Sequence, residues 1–592
     1  MWTGSVSRSK TARIRELCDF AEGEDIPCDI LIIGGGAAGL TLAWGLENTG
    51  LDVLIAESGG LDEASDTEAL SRVLSSPENW SHEQIAQRKA FHGPQTRFWS
   101  HENQNYGVRC RGLGGSTSAW AGKSATFDEM DFAVRDWMPH SGWPVGNVEL
   151  APYLDRAAKL LNLSVNCYDD NLWSMMGRTP PRPRPDPEVL RSFFWQFARS
   201  TISPMEVMHL GREFLHRPPA NARILTGATA LKVLTEPCGT RISGVLFADR
   251  NGRTSPLRAG TVILAASTIE NARLLLVSND HQTTGLGNGH DNVGRYLLDH
   301  PSATLASFNG PEIAATADLF GFFGLKHDNR SSMYMRGLAL TPSVQQEEKL
   351  LNCAVYFQGE RAPDDPFNAI KRLLKRRSQS YTSDVLVALK SSGLVAKGLG
   401  RRALQSEKFP KPLSRFVVNQ MVRFLPNMVA EEFLTQGIPH KLTGLKAIAV
   451  CEQAPDPENR VMLSSVKDRF GTPLPLARWR VGSQEARTMA RLGHILRREF
   501  AKSGLPDPQL EDWIEKGEIG NIATIDMAHS AGTTRMSRDP RHGVVDSNCM
   551  VHGIQGLFVA GASVFPTSGH SNPTLMVMGF ALRLADHLKT RR

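Results

Sequence analysis

The sequence predicts an α/β fold, α+β overall, in which a Rossmann-like dinucleotide-binding domain is interrupted by segments of a second domain with a mixed sheet. Three observations predict it. A strand, a glycine-rich turn, a helix and a second strand follow one another from residue 28 to residue 57. A buried strand with its helix stands at 260–275, and another pair closes the chain at 557–588. At 592 residues, the chain exceeds one compact core.

The first unit has the pattern of a phosphate-binding turn. The apolar residues 28–33 predict a buried parallel strand, and the residues after it satisfy the spacing GxGxxG. In such a unit the first glycine permits a tight turn, the second lets the backbone approach a pyrophosphate, and the third lets helix and strand pack closely. The helix start offers free N–H groups to the phosphates. The predicted cofactor-binding residues here are Gly34, Gly36, Ala37, Ala38 and Gly39.

An acidic residue ends the second strand of this unit. Glu57 follows the apolar run 53–56, about 20 residues after the glycines. A carboxylate at this place is expected to accept hydrogen bonds from both adenosine ribose hydroxyls. It disfavours a 2′-phosphate and therefore NADP, but this unit by itself leaves NAD and FAD open.

A second glycine-rich loop lies at 111–117. Its residues Arg111, Gly114, Gly115 and Ser116 allow the backbone to come close to a ligand. Backbone N–H groups there could reach a pyrophosphate or the polar edge of a flavin ring. A plain turn is the alternative interpretation.

The middle of the chain returns to the nucleotide-binding sheet after an excursion. Residues 224–233 and 242–247 predict the strands of a hairpin-like insertion, and 260–266 with 267–275 predict a buried strand and a helix. The first domain is therefore expected to comprise residues 25–62, 105–150, 215–300 and 521–592. The second is expected to comprise 63–104, 151–214 and 301–520.

Composition excludes several classes of protein. The net charge of +6 is small for this length, and we interpret the basic residues between 371 and 402 as a solvated face or loop, with no nucleic-acid partner. The eight cysteines show no metal-ligand spacing, so we expect no metal site. Scattered cysteines and a polar start fit a reducing, cytoplasmic location. No apolar run is long enough to predict a membrane span.

The C-terminal segment is the richest in motifs. A short strand at 557–561 leads to Gly561, and an open α/β sheet presents its ligands at such a strand end. Asn572, Pro573 and Thr574 then predict a helix start with a side-chain cap at Asn572 and Pro in the first turn. The N–H groups of that helix start could face an electron-rich ring edge.

Over nearly its whole length the chain resembles the glucose–methanol–choline (GMC) oxidoreductase family, nearest to its pyranose-oxidase-like, sugar-oxidising members. The resemblance is carried by 34–39 with Glu57 and by the blocks 111–117, 267–275, 292–301, 529–536 and 561–573. It implies bound FAD and the oxidation of an alcohol. It also implies that His529 is the catalytic base and Asn572 its partner.

Two departures from the family pattern affect these expectations. Pyranose-oxidase-like members can carry a flavin-linked His where this chain has Ala119, so we expect non-covalent FAD. His570 stands where Gly is usual, and it could contact the substrate or be a loop residue.

The sequence therefore predicts an FAD-dependent enzyme that oxidises an alcohol, a sugar or glycoside hydroxyl, to a carbonyl. His529 removes the hydroxyl proton, Asn572 donates a hydrogen bond to the oxygen, and the hydride passes to flavin N5. A flavin-containing lyase and an oxidase of a non-sugar alcohol are the alternatives. O₂ or another molecule is the electron acceptor, and the oligomeric state is open, a homo-oligomer included.

Overall fold

The computed structural model of the chain describes residues 13–21, 23–76, 80–96, 98–203, 206–310, 313–328, 330–361, 382–383, 385–386, 411–426 and 442–591. The basic residues between 371 and 402, and most of the charged stretch 345–411 around them, lie outside these ranges. Within the described residues, no helix combines the length and the apolar character that crossing a membrane requires.

The strands of the described residues are named here in chain order. They are β1 (Ile14–Glu16), β2 (Ile30–Ile33), β3 (Val53–Ala56), β4 (Leu74–Ser75), β5 (Lys123–Ser124), β6 (Leu190–Phe197), β7 (Ala222–Thr226), β8 (Thr229–Thr235), β9 (Ile242–Ala248), β10 (Thr254–Arg258), β11 (Val262–Leu264), β12 (Ser302–Phe308), β13 (Phe322–His327), β14 (Arg330–Leu340), β15 (Cys353–Arg361), β16 (Leu442–Cys451), β17 (Arg460–Lys467), β18 (Pro473–Arg478), β19 (Gln509–Leu510) and β20 (Leu557–Val559).

The α-helices are named in the same way. They are α1 (Ala37–Gly45), α2 (Ser65–Glu68), α3 (His82–His92), α4 (Glu129–Phe132), α5 (Asn147–Leu160), α6 (Asn171–Met175), α7 (Leu210–His216), α8 (Thr268–Val277), α9 (Ile313–Leu319), α10 (Pro342–Glu348), α11 (Lys411–Phe424), α12 (Ser483–Ser503), α13 (Asp512–Glu515) and α14 (Thr574–Lys589).

A parallel sheet and an antiparallel sheet dominate the described fold. The parallel sheet has the order β1-β7-β3-β2-β11-β20. The larger sheet has the order β19-β12-β16-β15-β14-β6-β5, with β13 paired to β14, and its neighbouring strands are antiparallel. Strands β8, β9 and β10 form a small antiparallel sheet, and β17-β18-β4 form a small mixed one. The predicted α/β fold, α+β overall, is confirmed.

The nucleotide-binding unit forms as its pattern predicts. Strand β2 is buried at every position and lies between β3 and β11. Helix α1 buries most of its residues, as expected for a helix inside a layered α/β core. It packs against α14 so closely that a Cβ on Gly45 would lie 2.7 Å from the Cβ of Ala585. The first and last elements of the domain are thereby joined.

One predicted strand is wrong as a single element. Residues 224–233 divide at Gly227, whose φ of +61° belongs to the left-handed region that glycine adopts without steric cost. Strand β7 ends before this turn and pairs in parallel with β3, whereas β8 begins after it and pairs with β9. The antiparallel excursion therefore consists of β8, β9 and β10.

The division of the chain into two discontinuous domains stays a prediction. Two strands pair with neighbours across the predicted boundaries. Strand β1 precedes the first predicted segment and joins the parallel sheet. Strand β5, inside the predicted segment 105–150, pairs with β6 of the large sheet.

The carboxyl ends of three parallel strands open onto one cavity. The turns after β2, β11 and β20 reach it through Gly34, Ala265 and Ala560. The cavity volume is about 2020 Å³, above the roughly 300–1,000 Å³ of a site for one drug-sized ligand. A cavity of this volume has room for more than one ligand. The large antiparallel sheet forms its other wall.

The turn after β2 allows a stability test at Gly39. A Cβ there would lie 2.0 Å from the carbonyl oxygen of Gly34. We expect Gly39→Ala to lower the free energy of unfolding by about 1–3 kcal/mol in urea titrations. Gly260→Ala is the matched control, because a Cβ at this exposed position meets no atom within 4 Å. Equal stability of the two variants would contradict this packing.

Candidate active site

A cradle without side chains forms one end of the cavity. Gly34, Gly36, Ala37 and Ala38 line it, and Gly36 is the N-cap of α1. Because glycine has no side chain to cap the helix, the first N–H groups of α1 remain available to a ligand. Gly34 has a φ of +104°, and a Cβ there would lie 2.6 Å from the carbonyl oxygen of Ala265. The tight turn from β2 to α1, which passes the end of β11, therefore requires glycine.

The second glycine loop packs directly on the first. Gly114 donates its backbone N–H to the carbonyl oxygen of Gly35 at 2.8 Å. A Cβ on Gly115 would lie 3.1 Å from the Cα of Gly36. The interpretation of this loop as a plain turn is therefore insufficient, because it forms a second wall of the same cradle. Gly115 and Ser116 line the cavity.

Glu57 lies buried between the two loops. Its Oε2 accepts the N–H of Gly35 at 2.8 Å, and its Oε1 accepts the N–H groups of Gly59 and Gly112 at 2.8 and 3.1 Å. Burial raises the pKa of this carboxyl, against the lowering effect of these hydrogen bonds. Since a carboxylate has about four acceptor positions, roughly one remains. The geometry favours a bond to one ribose hydroxyl and not to two.

The predicted cofactor-binding residues meet at this cavity with two exceptions. Those that line it are Gly34, Gly36, Ala37, Ala38, Glu57, Arg111, Gly115, Ser116, Gly561, Asn572, Pro573 and Thr574. Gly39 and Gly114 do not line it. Gly39 lies on the side of α1 that faces β2, where it lets the helix pack closely on the strand. Gly114 packs against another part of the chain, because a Cβ there would lie 2.9 Å from the backbone nitrogen of Gly211.

His529 lines the same cavity, after a backbone turn that a carboxylate holds. Asp299 accepts the N–H of Met527 at 3.0 Å and the N–H of His529 at 3.1 Å. Between them Ala528 has a φ of +58°, which is rare for a residue with a side chain. Burial, and then the neighbouring Asp526, raise the pKa of Asp299 to about 7. The strained turn directs the His529 side chain into the cavity.

A chain of hydrogen bonds fixes the protons of two histidines. His300 Nε2 lies 3.3 Å from the carbonyl oxygen of Ser568, which can only accept, so His300 donates from Nε2. Burial lowers the pKa of His300 to about 4, so the ring is neutral and its Nδ1 accepts. His529 Nδ1, at 2.9 Å, must then be the donor. The lone pair of His529 is left on Nε2.

Asn572 occupies the other side of His529. Its Nδ2 lies 3.1 Å from His529 Nε2, so the amide donates to the nitrogen that carries the lone pair. The predicted capping role is wrong. The N-cap of α14 is Pro573 without a side-chain cap bond, because the Asn572 amide turns to His529. The two predicted catalytic residues, 43 positions apart, are in direct contact.

The pKa of His529 is lowered well below its ordinary value. Burial is the largest cause, followed by electrostatic interactions with His300, Lys123 and His92, which disfavour a second proton on His529. The imidazole is therefore neutral near pH 7.

His570 also lies inside and not on an exposed loop. It is 1% exposed, and its two ring nitrogens have no hydrogen-bond partner among the described residues. Burial lowers the pKa of His570 to about 3, so this ring too is neutral.

Three residues of the site had no predicted role. Asp299 and His300 lie in the block 292–301, which contributes to the resemblance, yet they stand 228 positions or more before the residues that they hold. The adjacent Asp and His in a block that carries the family resemblance were a signal of function. The sequence did not show which distant residues they contact. Lys123 gave no sequence signal. It lies on β5 and lines the cavity.

The residues present fit FAD. The uncapped start of α1 and the two glycine loops suit a pyrophosphate, and Glu57 retains an acceptor position for a ribose hydroxyl. The same cavity runs on to His529, Asn572 and the first residues of α14. A dinucleotide and a substrate can therefore share it.

Comparisons with known proteins agree with this geometry. The two family models described as GMC oxidoreductase match residues 212–302 and 455–581. The fructose dehydrogenase large subunit of Gluconobacter japonicus is 24% identical over 95% of this chain and 98% of its own. Paromamine 6′-oxidase of Streptomyces fradiae is 25% identical over 95% and 91%.

Solved structures share the fold. The crystal structure of pyridoxine 4-oxidase from Mesorbium loti matches with a TM-score of 0.54 and 16% identity, over 96% of this chain and 100% of that one. An FAD-dependent oxidoreductase from Chaetomium thermophilum matches with a TM-score of 0.52 and 18% identity, over 95% and 99%. Together, the two matched family regions and the similarity along nearly the whole chain show that this protein belongs to the GMC oxidoreductase family of FAD-dependent enzymes.

Proposed function

We propose that the protein oxidises a hydroxyl group of a sugar or glycoside to a carbonyl, with His529 as the base that accepts the hydroxyl proton. The observation that carries the proposal is the contact of His529 Nε2 with Asn572 Nδ2 at 3.1 Å. This pair lies in the cavity that also contains the glycine cradle.

His529 has the properties of a general base. Its lone pair is on Nε2, because its Nδ1 proton is committed to His300. Its lowered pKa keeps it unprotonated near pH 7, as a base must be before it reacts. A substrate hydroxyl that takes the place of the Asn572 amide hydrogen at Nε2 can therefore transfer its proton there.

Asn572 can stabilise the oxygen that loses this proton. Its amide nitrogen has two hydrogens, one of which is directed to His529. The second can donate to the substrate oxygen as negative charge develops on it. FAD, when bound, supplies the hydride acceptor at N5 for the hydrogen of the carbinol carbon. The substrate leaves as an aldehyde or ketone.

Support for a sugar comes from the relatives. One is named a fructose dehydrogenase and another a paromamine 6′-oxidase, and both align over 95% of this chain. Because one name is that of a dehydrogenase and the other that of an oxidase, we propose O₂ or another electron acceptor without choosing between them. A non-sugar alcohol is the alternative substrate.

The base can be tested by anaerobic flavin reduction. We expect a panel of sugars and glycosides to contain donors that bleach the yellow holoenzyme in a stopped-flow instrument. We expect His529→Ala to slow this bleaching by about 10²–10⁴-fold with FAD still bound, because proton removal loses its base. His552→Ala is a control, since His552 bonds to Ser537 and has no place in the cavity. A near-normal rate for His529→Ala would refute the assignment, and bleaching by no alcohol would refute the function.

His300 is expected to be a positioning residue. We expect His300→Leu, which removes the acceptor for His529 Nδ1, to lower the flavin reduction rate by about 10- to 100-fold, the effect of leaving a buried donor unpaired. His300→Gln, which restores a carbonyl acceptor, should recover part of this loss.

In the unaltered protein, the rate of flavin reduction should stay constant as pH falls past 6.5, because the pKa of His529 lies well below that value. A drop centred near pH 6.5 would contradict this environment.

We propose that FAD is held non-covalently. Ala119 lines the cavity but offers no nucleophile where related enzymes carry a linking His. We expect precipitation of the holoenzyme with acid to leave a colourless pellet and to release the yellow flavin into solution. A pellet that stays yellow would contradict the proposal, and digestion to a flavin-labelled peptide would then identify the linking residue.

A further inference from the structure

Lys123 places an ammonium group in the cavity that the proposed reaction does not use. Lys123 is the first residue of β5, directly after Gly122, and it pairs with Phe197 on β6. Its Nζ lies 4.0 Å from the ring centre of Trp195 and 4.2 Å from that of Tyr356. The two rings attract the cation through their negative faces and hold it in place.

This ammonium has no carboxylate partner among the described residues. Burial is the cause that lowers the pKa of Lys123 to about 7. Several other charged residues that line the cavity have a partner of opposite charge. Lys446 lies 2.7 Å from Glu360, and Glu270 contacts Arg109, Arg111 and Arg273. Because a buried charge without a partner is costly, an unpaired lysine in a cavity indicates a ligand with acceptor oxygens.

Lys123 faces the reaction centre. Its charge is among the causes that lower the pKa values of both His529 and His570. Trp195 connects these groups, because its ring lies under the Lys123 ammonium and 6.4 Å from the ring of His570. A molecule whose hydroxyl reaches His529 therefore lies within the field of this ammonium.

The groups around Lys123 are apolar surfaces with unused polar atoms. The indole nitrogen of Trp195 has no hydrogen-bond partner among the described residues. Tyr356 lines the cavity, and burial raises the pKa of its hydroxyl to about 12, so it is a neutral donor or acceptor. Aromatic faces beside hydrogen-bonding groups suit a molecule that carries both C–H and O–H surfaces.

We propose that Lys123 selects the substrate by donating hydrogen bonds to hydroxyl or carboxylate oxygens beside the reacting carbinol, so that neutral or anionic polyols bind and cationic amino sugars are rejected. This inference rests on the proposed function and adds the charge class of the substrate. Two like charges roughly 10 Å apart at an effective dielectric constant of about 20 repel enough to change affinity by about 10-fold.

The test compares D-glucose, D-glucosamine and D-glucuronate, which share one ring and differ in charge. It uses the holoenzyme at pH 6, where the Lys123 ammonium is charged. Two quantities are measured for each compound: the concentration dependence of anaerobic flavin bleaching and the shift of the melting temperature. In the unaltered protein we expect the half-saturating concentration of D-glucosamine to be about 10-fold above that of D-glucose.

Variants of Lys123 identify the source of this preference. We expect Lys123→Met to remove most of the difference between D-glucose and D-glucosamine and to weaken D-glucuronate by about 10-fold, whereas Lys123→Arg retains the preference. Lys232→Met is the matched control, since Lys232 pairs with Asp280 and does not line the cavity. Retained FAD absorbance and an unchanged melting temperature show that a variant has folded. If Lys123→Met does not fold, Lys123→Gln is used in its place.

Several outcomes would overturn the inference and leave the proposed function intact. One is that Lys123→Met keeps the preference for D-glucose over D-glucosamine. A second is bleaching by other alcohols while none of the three compounds bleaches the flavin or shifts the melting temperature. A third is the loss of bleaching by every alcohol in Lys123→Met, which would make Lys123 part of the proton-transfer machinery. If no alcohol bleaches the unaltered protein, the proposed function itself fails.

Discussion

The site depends on a buried imidazole that is kept neutral and in one tautomer. His529 receives an amide hydrogen on one side and donates to His300 on the other. The chain of bonds ends at the Ser568 carbonyl oxygen, which has no proton to give. Because a carbonyl can only accept, this backbone atom decides where both imidazole protons lie. A general base needs its lone pair on the nitrogen that the substrate hydroxyl reaches, and the backbone supplies that condition by keeping the His529 proton on Nδ1.

Two buried carboxylates hold the turn beneath this imidazole. Asp299 accepts the backbone N–H groups on both sides of Ala528. Asp526 pairs with Arg88 at 2.6 Å, and Arg88 in turn lies over the ring of Trp80. Burial raises the pKa of Asp526, but Arg88 and His92 outweigh it and keep the pKa below its usual range. A buried ion pair of this kind stabilises little by itself but fixes a geometry, since removing one partner would leave a buried charge.

The cavity joins two surfaces that differ in chemistry. The end formed by the parallel strands presents backbone N–H groups and glycines, which suit phosphates. The end formed by the antiparallel sheet presents side chains, among them Lys123, Trp195 and Tyr356. Backbone groups bind what is common to every dinucleotide, whereas side chains on a sheet can change without disturbing the fold. The substrate preference that we propose therefore belongs to the second surface.

The sequence by itself determined the nucleotide-binding unit and the family, and it named the two residues that we propose as catalytic. These are local patterns: a buried strand and a GxGxxG turn act within about 30 residues, and the blocks near His529 and Asn572 are contiguous. The tertiary structure alone decided the partners of these residues. His300 contacts His529 across 229 positions of chain, where the bridges Leu298–Ala531 and Ser302–Ile525 join the two segments. Lys123, 406 positions before His529, reaches the same cavity through the pairing of β5 with β6. It also decided that Asn572 contacts His529 instead of capping its helix, because a side chain with two available partners is fixed only by what the fold brings next to it.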